Sequence, residues 1–402
     1  MSPRSWLTAR RVRVHGLLLA VSVWTVYAVD MSRPGLLDRY GLVKGTDFLH
    51  FYTLGTLASR DRGDLLYDMR AQAELAREWM PQSASNVYVP LYGPQVSLVF
   101  APLARLSYGW ALTAWLALNV LMYGFCCYAV WKTCPNLQEH PWTVLILAIA
   151  FPGFFHLLLW GQTSGLALLC FTLAYLAWRR DQKILAGLAI GSLIFKPQLG
   201  LTAAIVFVCT QEWKAIFGAL LAAAAQLAAA WMHYGEEAMR AYFHALTNLE
   251  STLPLLEPRL YQTHSLRAFW SLLIPWPHLA LGLYVITALG VLLLAVESWK
   301  GKAALEIRYA ALLIASVLVS PHLTVYDLVI LAPAFLLLGD WGVAHRDQSL
   351  EGWLRVLLYA CYSLFLLGPL SRIIHLQMSV VALTALLGIS GRIVKQQSTL
   401  SA

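Results

Sequence analysis

The chain has 402 residues, of which 59% are hydrophobic and only 12% charged, against roughly 45–50% and 25% in an ordinary soluble domain. So few charges cannot cover a water-exposed surface of this size, which excludes a soluble globular enzyme. The net charge of +8 does not point to nucleic acid, because Lys and Arg punctuate apolar segments and form no basic stripe interleaved with surface aromatics.

Apolar runs recur along nearly the whole chain, and a hydrocarbon core about 30 Å thick takes roughly 20 such residues per helix. The first run, 14–30, follows Arg4, Arg10, Arg11 and Arg13. It is long and no small-x-small cleavage site follows it, so it reads as an uncleaved first helix and not as a signal peptide. Further spans are expected at 109–131, 142–158, 162–178, 183–195, 197–211, 213–232, 277–298, 303–319, 324–339, 353–370 and 376–394. The sum is an all-α polytopic membrane protein of about 12 transmembrane helices, one integral membrane domain over 1–402 with amphipathic helices in its first outer loop. Counting 94–106 as a crossing would invert everything after it, so that stretch reads as a half-helix or re-entrant segment.

A cytoplasmic N-terminus puts Lys132, Arg179, Arg180, Lys183, Lys214, Lys300, Lys302, Arg346, Arg392 and Lys395 inside, in agreement with the positive-inside rule. The outer side receives two long loops, 31–93 and 233–276, and the turns at Gly161-Gln162, Lys196-Pro197, Ser320-Pro321-His322 and Ser371-Arg372. Several of these turns join short apolar helices and would dip below the membrane surface, where they could line a cavity. The six cysteines lie mostly within apolar runs, without the paired spacing of a zinc or disulfide framework, and read as packing residues.

Polar chemistry concentrates on the outer side. On a helix starting at Thr46, Asp47 and His50 share a face with Phe51 and Leu54, which puts an acid on an apolar surface. The plainer alternative is a carboxylate capping the helix N-terminus, worth about 0.3–1 kcal/mol. Lys196, between two apolar runs and before Pro197-Gln198, would cost about 2.5–3.5 kcal/mol at membrane depth, so it calls for an anionic partner or ligand unless it snorkels to the interface. His322 and Tyr326 fall at i and i+4 near Asp327. Arg267 and Arg372 are arginines on the disfavoured side, and a guanidinium suits phosphate, with interfacial anchoring as the alternative. There is no Walker loop, His-Glu-x-x-His helix or nucleophile elbow, and the sequence asks for no cofactor or metal.

Taken in order, these stretches resemble glycosyltransferase family 87, the polyprenol-phosphate-mannose-dependent mannosyltransferases of GT-C fold. The resemblance runs through Thr46-Asp47-Phe48 to Tyr52 and Gly55, Leu66-Tyr67-Asp68, Tyr92-Gly93-Pro94 with Phe100-Ala101-Pro102-Leu103, Gly161-Gln162, Lys196-Pro197-Gln198, Ser265-Leu266-Arg267 and Ser320-Pro321-His322 with Tyr326-Asp327, covering roughly 45–340. Three departures stand out: Tyr-Pro-Pro is here Tyr92-Gly93-Pro94, the Asn after Gly-Gln is replaced by Thr163-Ser164, and Asn-Gln-Ser is Thr263-His264-Ser265.

The resemblance implies inverting transfer of a sugar, mannose first, from a polyprenyl-phosphate donor to a glycan or glycolipid hydroxyl. The reaction would run on the non-cytoplasmic face of a bacterial cytoplasmic membrane, with membrane lipids as surroundings and no nucleic acid involved. Asp47 occupies the general-base position. Lys196, Arg267 and Arg372 are the cations available to the lipid phosphate, and His322 would orient Asp47 or touch the phosphate. Tyr52, Gln162, Gln198 and Tyr326 are candidates for sugar or phosphate hydrogen bonds, with His50 beside them. The rival reading is a secondary transporter or flippase for a glycolipid or anionic substrate, which predicts midplane polar residues and paired broken helices in two related halves.

Overall fold

The computed structural model describes residues 7–81, 88–248, 259–345 and 349–400; the topology residues Arg4 and Arg346 lie outside them. Among the described residues the fold is helical throughout, with two isolated bridges, Leu37 to Val43 and Thr263 to Thr324, in place of strands.

Among the described residues six helices are long and apolar enough to cross a bilayer: Ala9–Met31, Tyr108–Trp131, Trp213–Thr247, Pro277–Lys300, Val325–Ala344 and Met378–Thr399. Two further spans are possible where consecutive helices are bent, Pro141–Ile149 with Pro152–Trp160 at 41° and Leu350–Leu364 with Gly368–Ile374 at 87°. Of the about twelve spans expected, six to eight meet the length and composition of a crossing among the described residues. The difference lies in Ser164–Arg179, Lys183–Phe195 and Pro197–Cys209, apolar but short, and in Leu305–Val319, 15 residues almost wholly enclosed by protein. Apolarity alone could not separate a helix facing lipid from one buried among other helices. The stretch 94–106 forms only a six-residue helix, Gln95–Phe100, and a 3₁₀ turn, Leu103–Arg105, too little to cross.

The periphery is apolar where a bilayer would cover it. Leu17, Leu18 and Val21 on the first helix and Ile286, Leu289 and Leu293 on Pro277–Lys300 are exposed, an arrangement water would penalise and acyl chains accept. Inside, backbones approach closely through small residues. A Cβ on Gly187 or Gly191 would lie 2.0 or 2.1 Å from the Ala215 or Ala219 carbonyl oxygen of the facing helix, a contact only glycine permits and typical of helix pairs in membranes.

The breaks are satisfied internally. At the 41° bend the carbonyls of Leu147, Ala148 and Ile149 accept hydrogen bonds from Tyr362 Oη (3.2 Å), Tyr123 Oη (2.7 Å) and Trp24 Nε1 (2.9 Å). Away from water, freed backbone acceptors must be met by such donors. The bend is thus held by three aromatic residues from three different helices.

Candidate active site

Two glycine turns aim the central residues at each other. Gly45, at φ +63°, precedes helix Thr46–Ser59, and Gly161, at φ +67°, ends helix Pro152–Trp160. Both are left-handed conformations that a side chain disfavours. They also touch: a Cβ on Gly161 would fall 2.8 Å from Phe48 Cβ and 3.5 Å from Gly45 Cα. Helix Tyr108–Trp131 clamps both turns from one face. Tyr108 Oη donates to the carbonyls of Lys44 and Gly45 (2.7 and 3.1 Å), and Trp115 Nε1, seven residues on, donates to that of Gly161 (2.9 Å).

Asp47, two residues after Gly45, and Gln162, directly after Gly161, enter the site. Helix Thr46–Ser59 is preceded by Gly45, which makes no side-chain cap, and Asp47 in its first turn reaches across the fold. Its Oδ2 accepts a 2.9 Å hydrogen bond from Gln162 Nε2. Gln162 Oε1 in turn accepts from Lys196 Nζ (3.2 Å) and from the Thr163 backbone N–H (2.9 Å). Lys196 Nζ also donates to Ser164 Oγ (3.1 Å) and to Asp327 Oδ1 (2.9 Å), and Ser164 Oγ donates to the same Asp327 oxygen at 2.5 Å. An ammonium has three donors, and all three of Lys196 are engaged by protein acceptors.

Lys196 is 3% exposed and Asp327 2%, so the lysine does not snorkel to the interface. Its ammonium also lies 5.0 Å from the centre of the buried Tyr326 ring. Asp327 is fixed from its own side, since Oδ2 accepts the Thr324 backbone N–H at 3.3 Å in a capping box that opens the 3₁₀ turn Val325–Leu331. Asp47 is less covered than Lys196 and Asp327. Desolvation raises its carboxyl to about 6, opposed by the Gln162 hydrogen bond and by Lys196 and assisted by the negative charge of Asp327, with His322 a further lowering influence. Asp47 is therefore mostly ionised at neutral pH and able to accept a proton.

His322 sits within the field of Asp327, Lys196, Arg267 and Asp47, and burial pulls its imidazole down to about 4. Arg267 is half-buried and its Nε donates to the Pro321 carbonyl, which ties helix Leu266–Leu273 to the turn carrying His322. The backbone N–H of His264 donates to the Leu323 carbonyl at 3.0 Å and strengthens the same strap.

The structure thus gathers Asp47, Gln162, Lys196, His322, Tyr326 and Arg267 from five separate stretches. Tyr52 is placed elsewhere: its hydroxyl donates to the Leu106 carbonyl at 2.8 Å and its ring packs on Trp79 and Tyr108. Gln198 is half-buried one residue beyond Pro197, and Arg372 is exposed on the short helix Gly368–Ile374, both outside the hydrogen-bonded cluster. His50 is buried between Tyr88, Tyr92 and Phe51. Sequence reasoning passed over Asp327, Ser164 and Tyr92 as site residues. Tyr92 lies within the field of Lys196, Asp327 and Asp47, beside the Thr163 side chain. The available signal was polarity: Gln162-Thr163-Ser164 is an uninterrupted polar run between apolar helices, and Asp327 is an acid at the head of a span.

A sequence model of glycosyltransferase family 87 matches residues 91–321, more than half of the chain. No curated protein and no solved structure matches the chain.

Proposed function

Because the chain belongs to glycosyltransferase family 87, we propose that it is an inverting glycosyltransferase of GT-C fold. It moves a hexose, mannose first, from a polyprenyl-phosphate donor to a hydroxyl of a glycan- or glycolipid-linked acceptor, at the non-cytoplasmic face of a bacterial cytoplasmic membrane. The observation that carries this reading is the pairing of one accessible carboxylate, Asp47, with a buried, fully engaged ion pair that orients it through Gln162.

A single displacement at the anomeric carbon needs one base and no enzyme nucleophile. Asp47 takes the proton of the acceptor hydroxyl as its oxygen bonds to the anomeric carbon. The bond from that carbon to the phosphate oxygen breaks, and polyprenyl phosphate leaves with the electron pair. The leaving group is already a stable anion, so holding its charge is the remaining task. Arg267 and neutral His322 serve it, as a guanidinium and a hydrogen-bonding imidazole on adjoining segments. Lys196, whose donors are all engaged, acts through Gln162: it accepts the role of fixing which end of the amide faces Asp47.

Asp47→Asn is expected to abolish sugar transfer from a polyprenyl-phosphate hexose, a loss of at least roughly 100-fold for a missing general base, with the protein still folded and membrane-inserted. Wild-type turnover in that variant, assayed with radiolabelled donor, removes Asp47 as the base.

A further inference from the structure

One turn beyond Asp47 the same helix carries a second buried polar side chain. His50 is 4% exposed, with its ring 5.0 Å from that of Tyr88 and 5.9 Å from that of Tyr92. Neither ring nitrogen has a hydrogen-bond partner among the described residues. Gln95, the first residue of helix Gln95–Phe100, is 8% exposed, and both ends of its amide are likewise without a partner. The two helices are pressed together at Gly55, where a Cβ would come 2.5 Å from the Phe100 carbonyl oxygen.

Gln95 folds back over Gly93, since a Cβ there would lie 2.3 Å from Oε1 and 2.7 Å from Nε2. Gly93 in turn follows Tyr92, the ring that flanks His50 and whose hydroxyl side meets Thr163. His50 thus packs on the Tyr92 ring, which reaches toward the Asp47 cluster, and the Gln95 amide lies over the next residue in the chain.

Leaving a buried donor or acceptor unmet costs about 1–3 kcal/mol each, and folded proteins keep few of them. Charge separates this corner from the rest of the site. His322 feels four charged neighbours, whereas burial alone pulls the His50 imidazole down to about 4. At neutral pH His50 thus offers one neutral donor and one neutral acceptor, and Gln95 offers an amide. Between aromatic walls such groups suit the hydroxyls of an uncharged sugar, and they bring no positive charge to a phosphate, which Arg267 does.

We propose that His50 and Gln95, walled by Tyr88 and Tyr92, form the acceptor subsite and bind a neutral, hydroxyl-rich sugar whose attacking hydroxyl reaches Asp47. This rests on the reading of Asp47 as the base. The donor phosphate then lies toward Arg267 and His322, and the acceptor approaches from the uncharged side.

The test uses the purified full chain, polyprenyl-phosphate mannose as donor and octyl α-mannoside as acceptor, with initial rates measured against each. Gln95→Leu, His50→Phe and Gly93→Ala, the last displacing the Gln95 amide without removing it, should each raise the acceptor KM roughly tenfold, the size expected for losing a hydrogen bond or two. The donor KM should stay unchanged. In the free protein Gln95→Leu should unfold at the wild-type temperature or above, because an unmet amide is replaced by an apolar group of similar shape.

An unchanged acceptor KM overturns the subsite, as does a rise in donor KM, or a lowered unfolding temperature with all kinetic constants falling together. Should wild-type protein consume donor when given native membrane lipids but ignore octyl α-mannoside, the neutral-sugar acceptor is wrong. Should it consume no polyprenyl-phosphate hexose even then, the underlying reading of Asp47 fails and the subsite with it.

Discussion

The Gln162 amide is a switch with two orientations, and its neighbours permit one. Its oxygen is held by Lys196 and by the Thr163 N–H, so its NH₂ must face Asp47. That contact lowers the Asp47 carboxyl while desolvation raises it, leaving it near 6. The base proposed here, Asp47, must be deprotonated to act, so kcat/KM is expected to rise with pH through about 6 and level off above it. Gln162→Leu removes the lowering contact, and the acid limb should move to higher pH. A limb that stays in place, or moves down, in pH–rate profiles of the two proteins would separate Gln162 from the titration of Asp47.

Three helix breaks meet at one ion pair. Lys196 stands between Lys183–Phe195 and Pro197–Cys209, Ser164 opens Ser164–Arg179, and Asp327 lies in the turn Val325–Leu331. Removing one partner of a buried pair leaves the other charge unmet, at a cost of about 3–5 kcal/mol, whereas replacing both by apolar groups is often close to neutral. Asp327→Leu alone should therefore lower the unfolding temperature in detergent far more than Asp327→Leu combined with Lys196→Met. Equal losses in the single and double variants would mean that the pair does not hold these elements together.

Across the whole molecule, the cluster and the basic turns occupy opposite ends of the same helices. Ser164–Arg179 begins at the cluster and ends at Arg179, which pairs with Glu306 at 3.7 Å. Pro197–Cys209 begins beside Lys196, and the chain then reaches Glu212, which pairs with Lys183 at 2.8 Å. If the basic ends are cytoplasmic, as the positive-inside rule has it, the cluster opens outward. Tyr40→Cys, at an exposed site before the Asp47 helix, should then react with a membrane-impermeant maleimide on intact cells, and Arg180→Cys only after the membrane is opened. The reverse pattern would put the chemistry on the cytoplasmic side.

Composition and apolar periodicity were enough to read a helical membrane protein from the sequence, because the scarcity of charge is a property of the chain and needs no fold. Asp47, Lys196 and His322 were legible for a related reason: a polar group amid apolar residues is conspicuous wherever it ends up. The number of spans was not legible, since a helix buried among helices, such as Leu305–Val319, is as apolar as one in lipid. Nor could sequence assign Asp327 to Lys196 across 131 residues, or separate Tyr52, spent on the Leu106 carbonyl, from the residues that meet at Asp47. Those distinctions depend on which carbonyl or carboxylate lies within 3 Å, and only the packing of the helices brings such atoms together.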